Sequence, residues 1–252
     1  MKLFDANTWI GAWPFALLTE FTAASLAKHL KAHKIDRALV SSLQSVFHPE
    51  PGFGNRHLLR ETRRQPALVP VPVINPSLAN WREELATVTA DSRVRAVRIL
   101  PNYHNYRLTH RAVNALLHEL HSQGLRLIVN ARLIDERHEY FAMKMKGVPT
   151  ADLSRLLRRH PDVPILATGL GRTEIIALTP EHPNLLAEFS YAEWHNTVEY
   201  LLTRADPSQL VFGTLTPFLV TEAGVRKLTT AKISPADAKK MSSENLRKFL
   251  AV

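Results

Sequence analysis

Two arginines and a glutamate stand where a small carboxylate could be bound. In the strand-like runs VRAVRIL, RLIVNAR and NLLAEFSY, apolar residues alternate with polar ones, so the polar residues share one side of each strand. This parity predicts that Arg98, Arg132 and Glu188 face inward. A guanidinium group binds a carboxylate through two parallel hydrogen bonds, so two arginines at one site would clamp an acidic substrate.

A general base and hydrogen-bond donors can be chosen for the same site. His104 follows the fourth strand-like run in a loop and is the first candidate for the base, with Glu188 second. Tyr103, Asn130 and Asn7 could donate hydrogen bonds to a developing oxyanion. The sequence thus predicts His104 and Glu188 as catalytic residues, and Arg98, Arg132, Tyr103, Asn130, Asn7 and Trp9 as substrate-binding residues.

The elements that must position these residues follow a repeating order. Eight short apolar runs alternate with longer amphipathic segments such as RAVNALLHELHSQG, whose apolar spacing and closing Gly124 are typical of a helix. Strands separated by helices pair in parallel. Eight such units in 252 residues predict an α/β fold, a (β/α)8 TIM barrel formed as one domain by residues 1–252. In such barrels the site lies at the C-terminal ends of the strands.

Several motifs resemble a known family. FDANTWIG (residues 4–11) is similar to the first strand of amidohydrolase-superfamily barrels, and LVFGTLTPF closely matches the eighth. VPVINP, AVRILPNYHNYRL, LRLIVNAR and ILATGLGR resemble the third to sixth strands, and Asn245 stands at the asparagine of the family's closing helix. The chain therefore resembles the amidohydrolase-related family over nearly its whole length. The resemblance implies a barrel that carries metal ligands at its strand ends.

The residues at the family's ligand positions depart from its pattern. In the order of strands 1, 1, 5, 6 and 8, they are Asn7, Trp9, Asn130, Gly169 (or Thr168 in the neighbouring register) and Leu215. A neutral amide is a weak zinc ligand, and indole and leucine side chains offer no suitable donor atom. The sequence therefore predicts no family-style metal ion and no cofactor.

A structural interpretation of the same residues stays open. Arg98 and Glu188 could form an internal ion pair that fills the barrel without reacting. Trp9 could fill the volume that metal and water take in the family. Asp5 shares the parity of Asn7 and Trp9 and commonly supports the barrel floor or a neighbouring loop.

Composition and charge restrict the partners. No apolar run approaches the roughly 20 residues of a membrane span, and the amino end shows no signal-peptide pattern, so we expect a cytoplasmic protein without a membrane partner. Lys and Arg number 32 against 23 Asp and Glu, a net charge of +9. This charge is spread over separate helical segments without interleaved aromatic residues, which argues against nucleic acid and favours a small carboxylate ligand. The segment HEYFAMKMKGVP, with Phe141, Met143 and Met145, could be a lid or a contact surface of a homo-oligomer.

Three functional hypotheses follow. The first is a metal-independent hydrolase that cleaves a lactone, ester or related bond in a small carboxylate-bearing substrate, because relatives hydrolyse amides and lactones or decarboxylate aromatic acids. The second is a non-catalytic barrel that binds a small anion or a protein partner. The third is a metal-dependent hydrolase with atypical ligands, for example His48, His104 and His195.

Overall fold

Along the described residues, eight strands alternate with helices. The structure is a computed structural model and describes residues 1–134 and 145–252. The strands are β1 (Phe4–Ile10), β2 (Arg37–Ser42), β3 (Leu68–Pro70), β4 (Ala96–Ile99), β5 (Arg126–Asn130), β6 (Ile165–Thr168), β7 (Leu185–Glu188) and β8 (Leu210–Val211).

Helices follow the strands and pack around them. They are α1 (Ala23–Ala32), α2 (Gln44–Phe47), α3 (Gly52–Thr62), α4 (Trp81–Thr89), α5 (Arg111–Ser122), α6 (Thr150–Arg159), α7 (Arg172–Leu178), α8 (Thr197–Leu201), α9 (Thr221–Thr229), α10 (Pro235–Lys239) and α11 (Asn245–Leu250). A π-helical turn, Lys240–Glu244, joins α10 to α11. None of the helices in the described residues is long and apolar enough to cross a membrane.

The strands form two parallel groups that meet at both edges. One group is β1–β2–β3 and the other runs from β4 to β8, each strand pairing in parallel with the next. Parallel bridges join Thr8 to Thr216 at one seam and Val73 to Arg98 at the other. The backbone N–H of Trp9 also donates to the Thr216 carbonyl at 2.9 Å. The groups thus close into a (β/α)8 barrel, which confirms the predicted fold.

Alternation along the strands separates an outer layer from the barrel interior. Val97 and Ile99 of β4, and Leu127 and Val129 of β5, pack with helix side chains in the outer apolar core. The interior cluster contains Phe4, Ala6, Leu39, Val69, Val71, Ala96, Ile128, Leu166 and Val211 from the strands, and Leu246, Phe249 and Leu250 from α11. Helix α11 therefore closes the N-terminal end of the barrel.

β1 does not keep strict alternation. Its register with β2 shifts between Asp5 and Thr8. Before this irregularity, the even-numbered Ala6 lies in the interior cluster. Beyond it, the odd-numbered Asn7 and Trp9 face inward. The prediction that Asp5 shares their face was wrong, because a strand irregularity reverses the parity that a regular strand would have. Asp5 instead bonds the strand-8 segment at Thr214.

Candidate functional site

A neutral amide links the buried arginine to the buried glutamate. Arg98 Nη1 donates to Asn7 Oδ1 at 2.9 Å, and Asn7 Nδ2 donates to Glu188 Oε2 at 2.9 Å. Arg98 Nη2 also donates to the Ala6 carbonyl at 3.3 Å. The three side chains are fully buried. The structure thus brings together three of the predicted site residues as one hydrogen-bonded chain.

Trp9 covers this chain from the C-terminal side. The Arg98 guanidinium carbon lies 4.4 Å from the centroid of the Trp9 ring, the distance of a cation–π contact. Trp9 Nε1 donates to Asn7 Oδ1 at 3.1 Å, so the same amide oxygen accepts from both side chains. Trp9 is itself fully buried. Its indole therefore takes part in the site as a fixed cover.

Apolar side chains fill the end of the barrel above Trp9. We call this set the mouth cluster; it consists of Trp9, Trp13, Leu43, Val46, Val73, Leu100, Leu133 and Leu215. None of these side chains is more than 6% exposed. Leu43 and Leu100 directly follow β2 and β4, and Leu215 lies four residues beyond β8, at the end where barrel enzymes hold their substrates. The position of the family's strand-8 aspartate, Leu215, is thus part of a closed apolar layer.

Burial shifts the pKa of each ionisable group around Asn7 towards its neutral form. Burial raises the pKa of Asp5 to about 7, against hydrogen bonds from Thr214 and from the Asn7 backbone that lower it. Burial also raises the pKa of Glu188, while it lowers the pKa of Arg98 to about 9 despite the nearby negative charges of Glu188 and Asp5. The opposite charges offset one another inside the barrel.

Lys227 supplies a second cation near Glu188. It reaches in from α9, and its Nζ donates to the Ser190 carbonyl at 2.7 Å and to the Phe189 carbonyl at 3.3 Å. Burial lowers the pKa of Lys227, and the charge of Glu188 opposes that shift. Glu188 itself accepts a short hydrogen bond from the Ser190 backbone N–H. Lys227 is not predicted from the sequence, because nothing on α9 marks a residue that points at a strand end.

The family's ligand positions on strands 5 and 6 are used for packing. Asn130 Oδ1 accepts a hydrogen bond from Thr168 Oγ1 at 2.9 Å. Gly169 has φ +74°, and a β-carbon there would collide with the Arg132 backbone carbonyl. A histidine is therefore excluded at Gly169 for this backbone. In the part of the chain that the structure describes, no three His, Cys, Asp or Glu side chains cluster closely enough to hold a metal ion.

Arg132 is held by an ion pair outside the buried chain. Its Nη1 and Nη2 lie 2.5 and 3.0 Å from the two carboxylate oxygens of Glu174 on α7, and its guanidinium stacks on Tyr191 with 5.3 Å to the ring centroid. Glu174 also accepts a hydrogen bond from the Gly171 backbone N–H at the start of α7. Glu174 is the third residue of this helix, a position from which glutamate commonly caps a helix N-terminus. A carboxylate clamp by Arg98 and Arg132 stays a prediction, and the ligand would have to replace Asn7 and Glu174 as their partners.

His104 and Tyr103 contact α2 and the aromatic residues near the mouth. His104 Nε2 lies 3.2 Å from the Ser45 carbonyl, which can only accept, so Nε2 carries the hydrogen. Nδ1 is buried and has no hydrogen-bond partner among the described residues, and burial lowers the pKa of the ring. The Tyr103 ring packs at 5.7 Å from Phe47 and 6.2 Å from Trp13. These contacts hold both residues at the surface of the mouth. They are separate from the contacts that Arg98 makes.

The remaining predicted residues are dispersed or outside the description. His48 and His195 are exposed, so the described structure does not join them with His104 in a metal-binding group. Phe141 and Met143 lie outside the described residues. Met145 lines a cavity of about 580 Å³ between the loop after β4 and the segment that precedes α6.

Comparisons with known proteins agree with the fold. The structure is similar to 5-carboxyvanillate decarboxylase from Sphingomonas paucimobilis, with a TM-score of 0.77, 12% identity, and 100% of this chain and 99% of that chain covered. The corresponding values for 2,6-dihydroxybenzoate decarboxylase from Rhizobium are 0.71, 12%, 99% and 98%.

A further solved structure contains a metal and a ligand. It is 5-carboxyvanillate decarboxylase from Novosphingobium aromaticivorans, complexed with manganese and 4-hydroxy-3-methoxy-5-nitrobenzoic acid, with a TM-score of 0.76, 11% identity, and 100% and 96% coverage. The sequence matches no curated protein. The family model described as Amidohydrolase matches residues 24–252. The chain belongs to the amidohydrolase family.

Proposed function

We propose that this chain is a metal-independent, non-catalytic barrel of the amidohydrolase family that acts by binding a small anion. The observation that carries the proposal is the mouth cluster, which covers the end of the barrel where the family's chemistry takes place. In the part of the chain that the structure describes, Trp9 lies over Arg98, so a substrate entering from this end would displace it. Such a displacement would expose an aromatic side chain and break its contacts with Arg98 and Asn7.

The donor atoms around Asn7 do not suit a divalent metal ion. Asn7 Oδ1 already accepts from Arg98 and Trp9, and the guanidinium beside it repels a second cation. Asn130 offers an amide whose oxygen accepts from Thr168, and Leu215 offers no donor at all. Zinc and manganese prefer histidine and carboxylate ligands, which this arrangement does not provide.

The choice of a small anion depends on charge and on the names of the relatives. The chain has a net charge of +9, and a positive surface attracts anions. The similar structures are decarboxylases of aromatic carboxylates, and one holds a nitrobenzoic acid. We therefore expect the ligand of this chain to be a carboxylate or another oxyanion. A protein partner is the competing possibility for a binding barrel.

A turnover screen tests the non-catalytic part of the proposal. Purified protein would be incubated with lactones, esters, 5-carboxyvanillate and 2,6-dihydroxybenzoate, once with chelator and once with added manganese. Product would be quantified by chromatography against a protein-free blank. We expect no turnover above the blank in either condition. Turnover with manganese alone would contradict metal independence, and turnover in chelator would contradict the non-catalytic assignment.

One observation favours a metal-independent enzyme as the second candidate. Among the described residues, Arg98 Nε and Asn130 Nδ2 are buried without a hydrogen-bond partner, and such atoms can mark a place for a polar molecule. If turnover occurs in chelator, Arg98→Lys and His104→Ala should each reduce it while circular dichroism stays native. Equal rates from the wild type and both variants would exclude Arg98 and His104 from the reaction.

A further inference from the structure

The opposite end of the barrel carries a cavity with a different chemistry. We call it the basal pocket; it has a volume of about 390 Å³ and lies where β2, β3 and β4 begin, beside the end of α11. Four of its lining residues are arginines, namely Arg37, Arg63, Arg93 and Arg95. No acidic side chain is among the described residues that line it. Its size falls within the range of small-molecule sites.

One of the four guanidinium groups is held by the protein itself. Arg93 pairs with Asp91, with Nη2 to Oδ2 at 2.7 Å, and Arg93 Nη2 donates to the Leu59 carbonyl at 2.7 Å. Arg93 Nη1 donates to Thr62 Oγ1 at 3.2 Å. These contacts fix Arg93 as a rigid wall of the basal pocket. Asp91 is paired with Arg93, so its negative charge only partly offsets the positive charges of the other three arginines.

The other three arginines keep their donors for a ligand. Among the described ion pairs, none includes Arg37, Arg63 or Arg95. Arg37 stacks over Phe4 with 5.0 Å to the ring centroid, which orients its guanidinium without neutralising it. Burial and the nearby charge of Arg247 lower the pKa of Arg37, so positive groups are crowded at this end of the barrel. Arg63 and Arg95 are exposed at the rim.

The floor of the basal pocket is apolar. Leu68 and Val69 of β3 and Leu250 of α11 contribute to it, and each is buried. A ligand that suits both parts would place oxyanion charge against the arginines and an apolar group against these side chains. Guanidinium groups bind phosphate and carboxylate oxygens two at a time, and a cleft lined by one sign of charge concentrates such ions.

We propose that the basal pocket binds a small organic anion with a phosphate or carboxylate group and an apolar part. This proposal deepens the proposed function, on which it rests for the ligand class, and it assigns that ligand to the N-terminal face. The two can fail separately: turnover would contradict the proposed function alone, whereas anion binding that the pocket variant does not weaken would contradict the basal pocket alone.

Calorimetric titration with phenyl phosphate and with benzoate tests the basal pocket and separates the two head groups. The variant Arg63→Ala/Arg95→Ala removes two exposed arginines of the pocket. The matched control, Arg158→Ala/Arg204→Ala, removes the same charge from exposed positions elsewhere. We expect at least one of the two compounds to bind the wild type and the control equally, and the pocket variant to bind it about tenfold or more weakly.

The remaining outcomes contradict the proposal. Equal weakening in both double variants would show a general charge effect, and no binding of either compound by the wild type would exclude the ligand class. A short oligonucleotide would be titrated in parallel. If it bound and neither small compound did, the arginines would be assigned to nucleic acid instead. Native circular dichroism of both double variants would exclude misfolding as the cause of a loss.

Discussion

The two ends of this barrel differ in what their side chains are used for. At the C-terminal end, the mouth cluster is apolar and closed, and beneath it Asn7 links Arg98 to Glu188. At the N-terminal end, α11 closes the interior, while arginines beside it line an open cavity. Barrel enzymes show the reverse, with open and reactive C-terminal ends and packed N-terminal ends. Membership of a fold therefore does not by itself specify how either end of the barrel is used.

The largest expected effect comes from removing the buried cation. Arg98→Leu removes the guanidinium that Asn7 links to Glu188 and leaves Glu188 buried without that cation. Loss of one partner of a buried pair typically costs about 3–5 kcal/mol. Urea unfolding should show that loss in the free energy of unfolding. The exposed Arg204→Leu variant is the control and should unfold like the wild type. A stable Arg98→Leu protein would mean that the network does not hold the barrel.

The next largest effect tests whether Trp9 is a tightly packed cover of the barrel mouth. Trp9→Ala deletes one of the two tryptophans of the mouth cluster and should lower the free energy of unfolding by about 3–4 kcal/mol, the lower part of the range for buried aromatic residues. Trp194, which is 70% exposed, provides the matched control, and Trp194→Ala should change the urea midpoint little. Equal effects of the two substitutions would indicate that the mouth is loosely packed and open to a ligand.

A smaller effect should appear in the pH dependence of stability. Because the pKa of Asp5 is raised from 3.8 to about 7, the folded protein holds this proton more tightly than the unfolded chain. The stabilisation is complete below the unfolded pKa and is lost as the pH rises through the folded pKa. Relative to Asp5→Asn, the wild type should therefore lose about 2–4 kcal/mol of unfolding free energy between pH 4 and pH 8. A constant difference between the two proteins at all pH values would contradict the raised pKa.

The smallest effect concerns the closure of the N-terminal end. Asn245 Nδ2 donates to the Pro207 carbonyl at 2.7 Å and to the Leu210 carbonyl at 2.8 Å, which ties α11 to the approach of β8. Asn245→Ala should lower the free energy of unfolding by about 1–2 kcal/mol. Asn80→Ala is the control, because Asn80 is exposed before α4 and its side chain makes no capping hydrogen bond. No loss in Asn245→Ala would mean that apolar packing alone holds α11.

Sequence alternation predicted which residues face inward, and it did so because the outer faces of strands must be apolar. Arg98, Asn130 and Glu188 are therefore found inside the barrel, each between outward-facing apolar neighbours. The same pattern failed at Asp5, where the irregularity of β1 reverses the parity. Regular periodicity carries no information about a local register shift.

Partners could not be predicted in the same way. Glu174 and Thr168 bind Arg132 and Asn130 from neighbouring units of the barrel, and only the packed structure specifies those distances. The closed mouth also depends on loops after several strands, whose apolar residues carry no periodic signal. The sequence did suggest that Trp9 fills the volume of the metal site, as one of two open interpretations.

Metal content after purification is the sharpest test of whether this barrel holds a metal ion. The protein would be prepared from cells grown with added manganese and zinc, dialysed, and measured by elemental mass spectrometry before and after chelator treatment. The network of Arg98, Asn7 and Glu188 predicts no stoichiometric metal and an unchanged thermal midpoint after chelation. Stoichiometric manganese or zinc, with a lower midpoint once it is removed, would contradict the account.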